Sequence, residues 1–202
     1  MLGKFIYSVF LINIYACANN LQHSVVDKEG FRTSVYVDKN NLKQGEQTVL
    51  HPDDYTIEIS NYKDGELDGQ RILFYPDGSP ELIEEYANGI FHGPYKSYFE
   101  NGSKKYEATY VKNVMTGIYL AYFPSGKIKE SITFADNEEN GPFIEYFENG
   151  HKKWEGTYVN GDNEVGLLHE YNEQGILIKK MMCDEESICT TIWSIDKYEN
   201  EK

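Results

Sequence analysis

Apolar and polar positions alternate along most of this chain, and the alternation restarts at a fixed interval. Segments of six to eight residues rich in Tyr, Phe, Ile and Thr are separated by short clusters of Gly, Asn, Asp and Pro. A period of two bounded by turn signals predicts β-strands, not helices. Cutting every 24 residues gives segments that begin at Tyr62, Tyr86, Tyr110, Phe134 and Tyr158. Seven residues into each lies Gly69, Gly93, Gly117 or Gly141, and Gly166 follows after a one-residue insertion. Sixteen residues in lies Gly78, Gly102, Gly126 or Gly150, with Gly175 shifted likewise. A fixed period in this range is the mark of a repeat architecture.

Each copy holds two turn signals. One is a triplet ending in glycine, such as Pro76-Asp77-Gly78, Glu100-Asn101-Gly102 or Glu148-Asn149-Gly150. A type I turn followed by a left-handed residue asks for glycine at that last place. The other is a pair: Asp64-Gly65, Asn88-Gly89, Lys112-Asn113, Asp136-Asn137 or Asn160-Gly161. Asn follows Gly in its tolerance of positive φ. Each copy therefore reads as one hairpin. The fold class expected is all-β: an elongated, single-layer antiparallel β-meander of 24-residue hairpin repeats. Residues 38–61 form a degenerate first copy, in which Gly45 matches Gly69 and Asp53-Asp54 matches Asp77-Gly78. Six copies follow in frame: 38–61, 62–85, 86–109, 110–133, 134–157 and 158–181. A terminal copy that departs from the pattern suits a cap.

Strict alternation also assigns faces. One face is expected to carry Ile72, Leu82, Tyr106, Leu120, Ile132 and Trp154 as the packing face. The other would carry the aromatics Tyr95, Tyr119 and Phe143, the aromatics Tyr75, Phe99, Phe123 and Phe147, and the column Lys105, Lys129 and Lys153. Glu107 and Glu155 fall on that second face too. Equivalent residues of successive hairpins lie about 9.6 Å apart, so these positions form ladders and not a single pocket. The ladders are either cross-strand pairs that stabilise the sheet or a binding strip.

Composition narrows the function classes. The 202 residues suit one domain, with or without a tail. Tyrosine, with 17 copies, dominates the apolar set and suits a half-buried pleated surface. The net charge of −14 argues against nucleic acid and against docking on anionic lipid through surface charge. No Gly-rich phosphate loop, nucleophile elbow or HExxH motif is present. His23, His51, His92, His151 and His169 occupy different phases of the repeat, so the repeat does not bring them together. A non-enzymatic protein with no cofactor and no metal site is expected.

The units YANGIFHGPYKSYFENGSKKYEA and FADNEENGPFIEYFENGHKKWEGTY resemble MORN-variant repeats, the kind found in the YwqK-family antitoxins of bacteria. The resemblance covers about 38–181. It implies a single-layer β-meander and contact with proteins or, in some members, phospholipids.

The N-terminus reads differently. Lys4 precedes an apolar run, Phe5–Tyr15, that is too short to span a bilayer but fits a secretory leader. The run ends in Ile14-Tyr15-Ala16-Cys17, which resembles a bacterial lipobox. The resemblance implies that 1–17 is removed as a signal peptide and that Cys17 is acylated. The alternative is an ordinary cleaved leader, with secretion in place of anchoring. Residues 18–37 read as a tether. Lipidation of Cys17 leaves Cys183 and Cys189, which flank a short polar loop and suit a disulfide in an oxidising compartment. Residues 182–202 then supply a cap strand, Thr190–Ile195, and a charged tail.

The expectation is a protein of the bacterial cell envelope, held at a membrane only by its lipid and binding an unidentified protein or a glycan. Its candidate strip is Tyr75, Tyr95, Phe99, Lys105, Tyr119, Phe123, Lys129, Phe143, Phe147 and Lys153. The alternative is an antitoxin or immunity-like protein that neutralises a cognate toxin. Location separates the two, because antitoxins of this kind act in the cytosol.

Overall fold

A computed structural model of the chain describes residues 21–196. The leader with Cys17, residues 18–20 and the tail 197–202 lie outside the described residues. The chain divides into two compact units at Gly102 and Ser103. The first holds β1 (Gln22–Lys28), β2 (Phe31–Val37), β3 (Lys43–Leu50), β4 (Thr56–Lys63), β5 (Glu66–Phe74), β6 (Pro80–Ala87), β7 (Ile90–Phe91) and β8 (Gly93–Tyr98). The second holds β9 (Lys104–Val111), β10 (Val114–Met115), β11 (Gly117–Tyr122), β12 (Ile128–Ala135), β13 (Glu138–Tyr146), β14 (Lys152–Tyr158), β15 (Gly166–Tyr171), β16 (Leu177–Cys183) and β17 (Cys189–Ser194). Within each unit successive strands pair antiparallel, with β7 and β8 both on β6 and β10 and β11 both on β9, which is a single-layer β-meander.

The turns follow the backbone demands read from the sequence. Gly78, Gly126 and Gly150 have φ of 85°, 82° and 92°, and their amides donate to Tyr75, Phe123 and Phe147 three residues back. Asp54 holds the same place in the first copy with φ 67°. In the alternate turns both central residues have positive φ, as in Asn88 (50°) with Gly89 (73°) and Asp136 (54°) with Asn137 (68°). That is the type I′ geometry, whose twist matches the flanking strands.

Two expectations fail. Residues 22–37 are not a tether. They form the hairpin β1–β2, with Gln22 opposite Val37 and a Glu29-Gly30 turn at φ 56° and 85°. Adjacent Val25 and Val26 break the alternation and no glycine triplet lies upstream, so the 24-residue frame does not reach this hairpin.

The second failure concerns the faces. Glu145 pairs with Trp154 and Tyr146 with Lys152, so Lys153 is an extra residue on its strand. Ala121 pairs with Glu130 and Tyr122 with Ile128, which leaves Lys129 extra. One bulged residue reverses the parity of everything beyond it. Tyr119 and Phe143 both pair with Ile132 and therefore share its face, together with Trp154. Leu120 pairs with Glu107 and lies on the opposite face, with Glu155. Two of the three lysines expected as a column on the second face, Lys129 and Lys153, are in fact bulged residues.

The core of the second unit sits on the Ile132 face. Ile132, Phe143, Leu168 and Cys183 are buried, with Tyr119, Phe134, Trp154, Tyr158 and Met181 packed on them. Phe143 is 3% exposed and stacks on Tyr158 with ring centroids 4.0 Å apart. Burying a side chain of that size is worth about 2 kcal/mol. Gly156 lies opposite Phe143, and a Cβ there would come within 2.8 Å of both Phe143 and Leu168. In the first unit the matching register is polar. Gln47 pairs with Ser60, Ser60 with Arg71, and Arg71 with Glu84. The Arg71 guanidinium donates to Glu58 at 3.0 Å and to Glu84 at 2.9 Å. The hydrogen bond to Glu58, joined by that to Glu84, outweighs partial burial and holds the guanidinium firmly charged. At the C-terminal end β17 pairs back on β16, and the Cys183–Cys189 disulfide joins residues that face each other across the pair.

Two glycines of adjoining repeats should respond differently to alanine. At Gly126 (φ 82°) an added Cβ meets open space, so Gly126→Ala carries only left-handed strain, about 1 kcal/mol. At Gly141 (φ 134°) the Cβ would lie 2.9 Å from that of Thr133, so Gly141→Ala should cost about 3 kcal/mol. Equal denaturation midpoints for the two variants would contradict the close approach of the strands at Gly141.

Candidate functional site

The candidate strip does not form one surface. In the first unit, the Tyr75 hydroxyl donates to the Tyr98 carbonyl at 2.7 Å, and burial raises its pKa. Tyr95 meets Phe91 edge-on at 6.2 Å. The carbonyl of Phe99 closes the turn at Gly102. In the second unit, Tyr119 stacks on Tyr106 at 5.8 Å and meets Phe134 edge-on, while Lys105 lies 5.5 Å from the centre of the Tyr106 ring. Phe143 is the most buried side chain of the apolar cluster.

Four members of the strip do come together. Phe123, Phe147, Lys129 and Lys153 line an open groove of about 500 Å³ with Glu130, Glu145 and Glu148. The bulges place them there. Each lysine is the extra residue of its strand, and each phenylalanine sits at the mouth of the neighbouring three-residue loop. Lys153 pairs with Glu145 at 3.1 Å. Burial, and then Glu145, raises the pKa of Glu130. The groove thus offers two half-buried aromatic rings beside charges of both signs.

A second groove, of about 300 Å³, opens on the same face further along this unit. Phe143, Trp154, Tyr158, Leu168 and Met181 contribute its apolar lining, and Glu145 and Glu164 its carboxylates. With Cys189, its residues come from five strands and from the loop before β15, where Glu164 bridges to Tyr158. Reading the sequence as ladders missed this grouping. The signals that could have revealed it were the extra residue between Asn160 and Gly166 and the lone small residue Gly156 among bulky neighbours.

The opposite face carries tyrosine–carboxylate pairs. Tyr122 donates to Glu107, and Tyr171 to Glu155. Glu155 also takes a bond from Lys152 and has His169 at 3.4 Å. Burial works against its ionisation, but the bonds from Lys152 and Tyr171 prevail and hold its carboxyl below the usual range. Among the described residues no group of three or more His, Cys, Asp and Glu could hold a metal ion. Among them, too, no helix is long and apolar enough to cross a membrane.

Comparison with known proteins identifies the repeat. Residues 91–112, 115–136 and 139–160 match the family described as the MORN repeat variant. Three consecutive stretches of this chain are thus similar to that repeat. The matches begin 24 residues apart, and both grooves draw on the third of them. No curated protein matches the chain.

The tyrosine pairs give a pH test. Burial first, and then the bonded carboxylate, push the phenols of Tyr122 and Tyr171 up to about 12. A folded-state pKa above the unfolded value near 10 means a contribution to stability that is complete below about pH 10 and is lost as the pH rises toward 12. Phenolate absorbance should therefore show both groups ionising late, and Tyr122→Phe or Tyr171→Phe should each remove one late-titrating phenol. Normal titration of both would contradict the pairing.

Proposed function

We propose that this protein is a non-enzymatic binding scaffold of the cell envelope, anchored through an acylated Cys17 and contacting a partner protein through its MORN-variant repeats. The observation that carries the reading is the groove at Phe123, Phe147, Lys129 and Lys153. Half-buried aromatics supply contact area, and the charges of both signs beside them supply orientation, as at the polar rim of a protein-contact surface. Anchoring draws its support from the leader and the Ile14–Cys17 sequence. The test is capture from native envelopes with a tagged full-length chain. Phe123→Ser with Phe147→Ser should reduce capture at least tenfold while the β-sheet circular dichroism spectrum is kept. Undiminished capture by the double variant would remove the groove from the interface.

Anchoring has its own measurement. Cys17→Ser should abolish acyl labelling and release the protein from the membrane fraction. A wild-type chain that takes no acyl label would overturn the anchor. The resemblance of the repeat units to YwqK-family antitoxins supports a second reading, neutralisation of a cognate toxin. A captured partner that is toxic when produced alone would favour it.

A further inference from the structure

The second groove points to a partner chemistry of its own, and the argument rests on the binding-scaffold reading. Its lining is apolar and largely aromatic: Phe143, Trp154, Tyr158, Leu168 and Met181. The rings are held in place. Phe143 and Leu168 close over Gly156, so the floor has no side chain rising from its centre. Phe143 also stacks on Tyr158, leaving Trp154 beside the opening as a half-buried ring. The charges around this floor are mostly of one sign. Glu145 and Glu164 border the groove, and Glu130 and Glu139 are close enough to act with them on the Tyr158 hydroxyl. The cations nearby are Lys153, bonded to Glu145, Lys129, which acts on Glu130, and Lys179, 3.7 Å from Glu170.

An aromatic floor under carboxylates favours a particular guest. A neutral apolar side chain would gain the floor but bury the carboxylates' surroundings without compensation. An acidic one would meet repulsion. A lysine or arginine places its methylene stem on the rings and its charged head toward the carboxylates, which satisfies both parts of the site. A volume of about 300 Å³ accommodates one such side chain with part of the backbone that carries it. The net charge of −14 adds long-range attraction for a basic partner.

We propose that the groove between Trp154, Tyr158, Leu168 and Met181 receives a basic side chain, lysine or arginine, from an extended segment of a partner protein whose flanking residues are apolar, with Glu145 and Glu164 taking its charge.

The test uses the full-length chain carrying Trp193→Phe, which leaves Trp154 as the only tryptophan of the two in the sequence. The probes are three synthetic ten-residue peptides of alternating Leu and Ser with Lys, norleucine or Glu at a central position. The lysine peptide should produce a saturable change in Trp154 emission. The norleucine and Glu peptides should bind at least tenfold more weakly. Glu145→Gln with Glu164→Gln should weaken the lysine peptide at least tenfold. Glu164→Gln alone, which leaves the Glu145–Lys153 pair intact, should weaken it at least threefold. Equal binding of the norleucine peptide would show an apolar site with no charge selection. Undiminished binding by the carboxamide variants would place the basic peptide elsewhere on the acidic surface. Binding of free Nα-acetyl-lysine amide as tightly as the peptide would indicate a small-amine site. Each of these results overturns the proposal. If no peptide binds while envelope capture still depends on Phe123 and Phe147, this proposal fails and the scaffold reading stands.

Discussion

The structure depends on the extra residue that each repeat inserts opposite its partner strand. Lys129 and Lys153 each occupy a place where two residues of one strand face one of the next. Without them, strict alternation would separate Tyr119 from Ile132 and Phe143 from Trp154 in the face pattern. With them, the large apolar residues of successive strands fall on one side. The three-residue loops make this affordable in backbone terms, because a left-handed residue at Gly126 or Gly150 lets the chain turn and leave its strand one residue out of step. Turn and bulge are one device, and the faces follow from it.

The same frame carries opposite contents in the two units. Arg71, Tyr95, Tyr119 and Phe143 share one phase of the repeat, and Ser60, Glu84, Ala108, Ile132 and Gly156 share another. In the first unit these phases hold an ion-paired guanidinium between Glu58 and Glu84. Taking such a group partly out of water costs desolvation, and its bonds roughly offset that cost. In the second unit the same phases hold stacked rings and aliphatic side chains, where burial is a direct gain. A repeat whose register is set by its turns can afford this exchange, because its backbone does not depend on any single packing solution.

Much of this was legible. The glycine triplets and the Asn-Gly type pairs specify positive φ on steric grounds, so the hairpin pairing of the repeats and the all-β class could be read directly. The cap strand was legible for a similar reason, since Thr190–Ile195 combines β-branched residues with a loop between two cysteines. The faces were not, because a bulge has no side-chain signature of its own here: Lys129 and Lys153 look like ordinary exposed strand residues. The hairpin at 22–37 was hidden by its weak resemblance to the later copies. The second groove was hidden because it draws on separate phases of adjoining copies, a grouping that a column-by-column reading keeps apart.

The error over the faces changes what the aromatics mean. A cross-strand aromatic pair contributes on the order of 0.2–1 kcal/mol, so a ladder of them suffices to explain a conserved-looking column without any ligand. That explanation fits Phe143, which is 3% exposed and stacked. It fits Phe123 and Phe147 less well. They stand at the mouths of loops whose closure uses their backbone carbonyls, not their rings, and both rings border an open groove. A ring that is only half-buried leaves part of its apolar surface in water, and it is that remaining surface which a partner could remove. Position relative to the bulge, and not residue type or repeat spacing, therefore separates the ring buried in the cluster from the two rings left at the open groove.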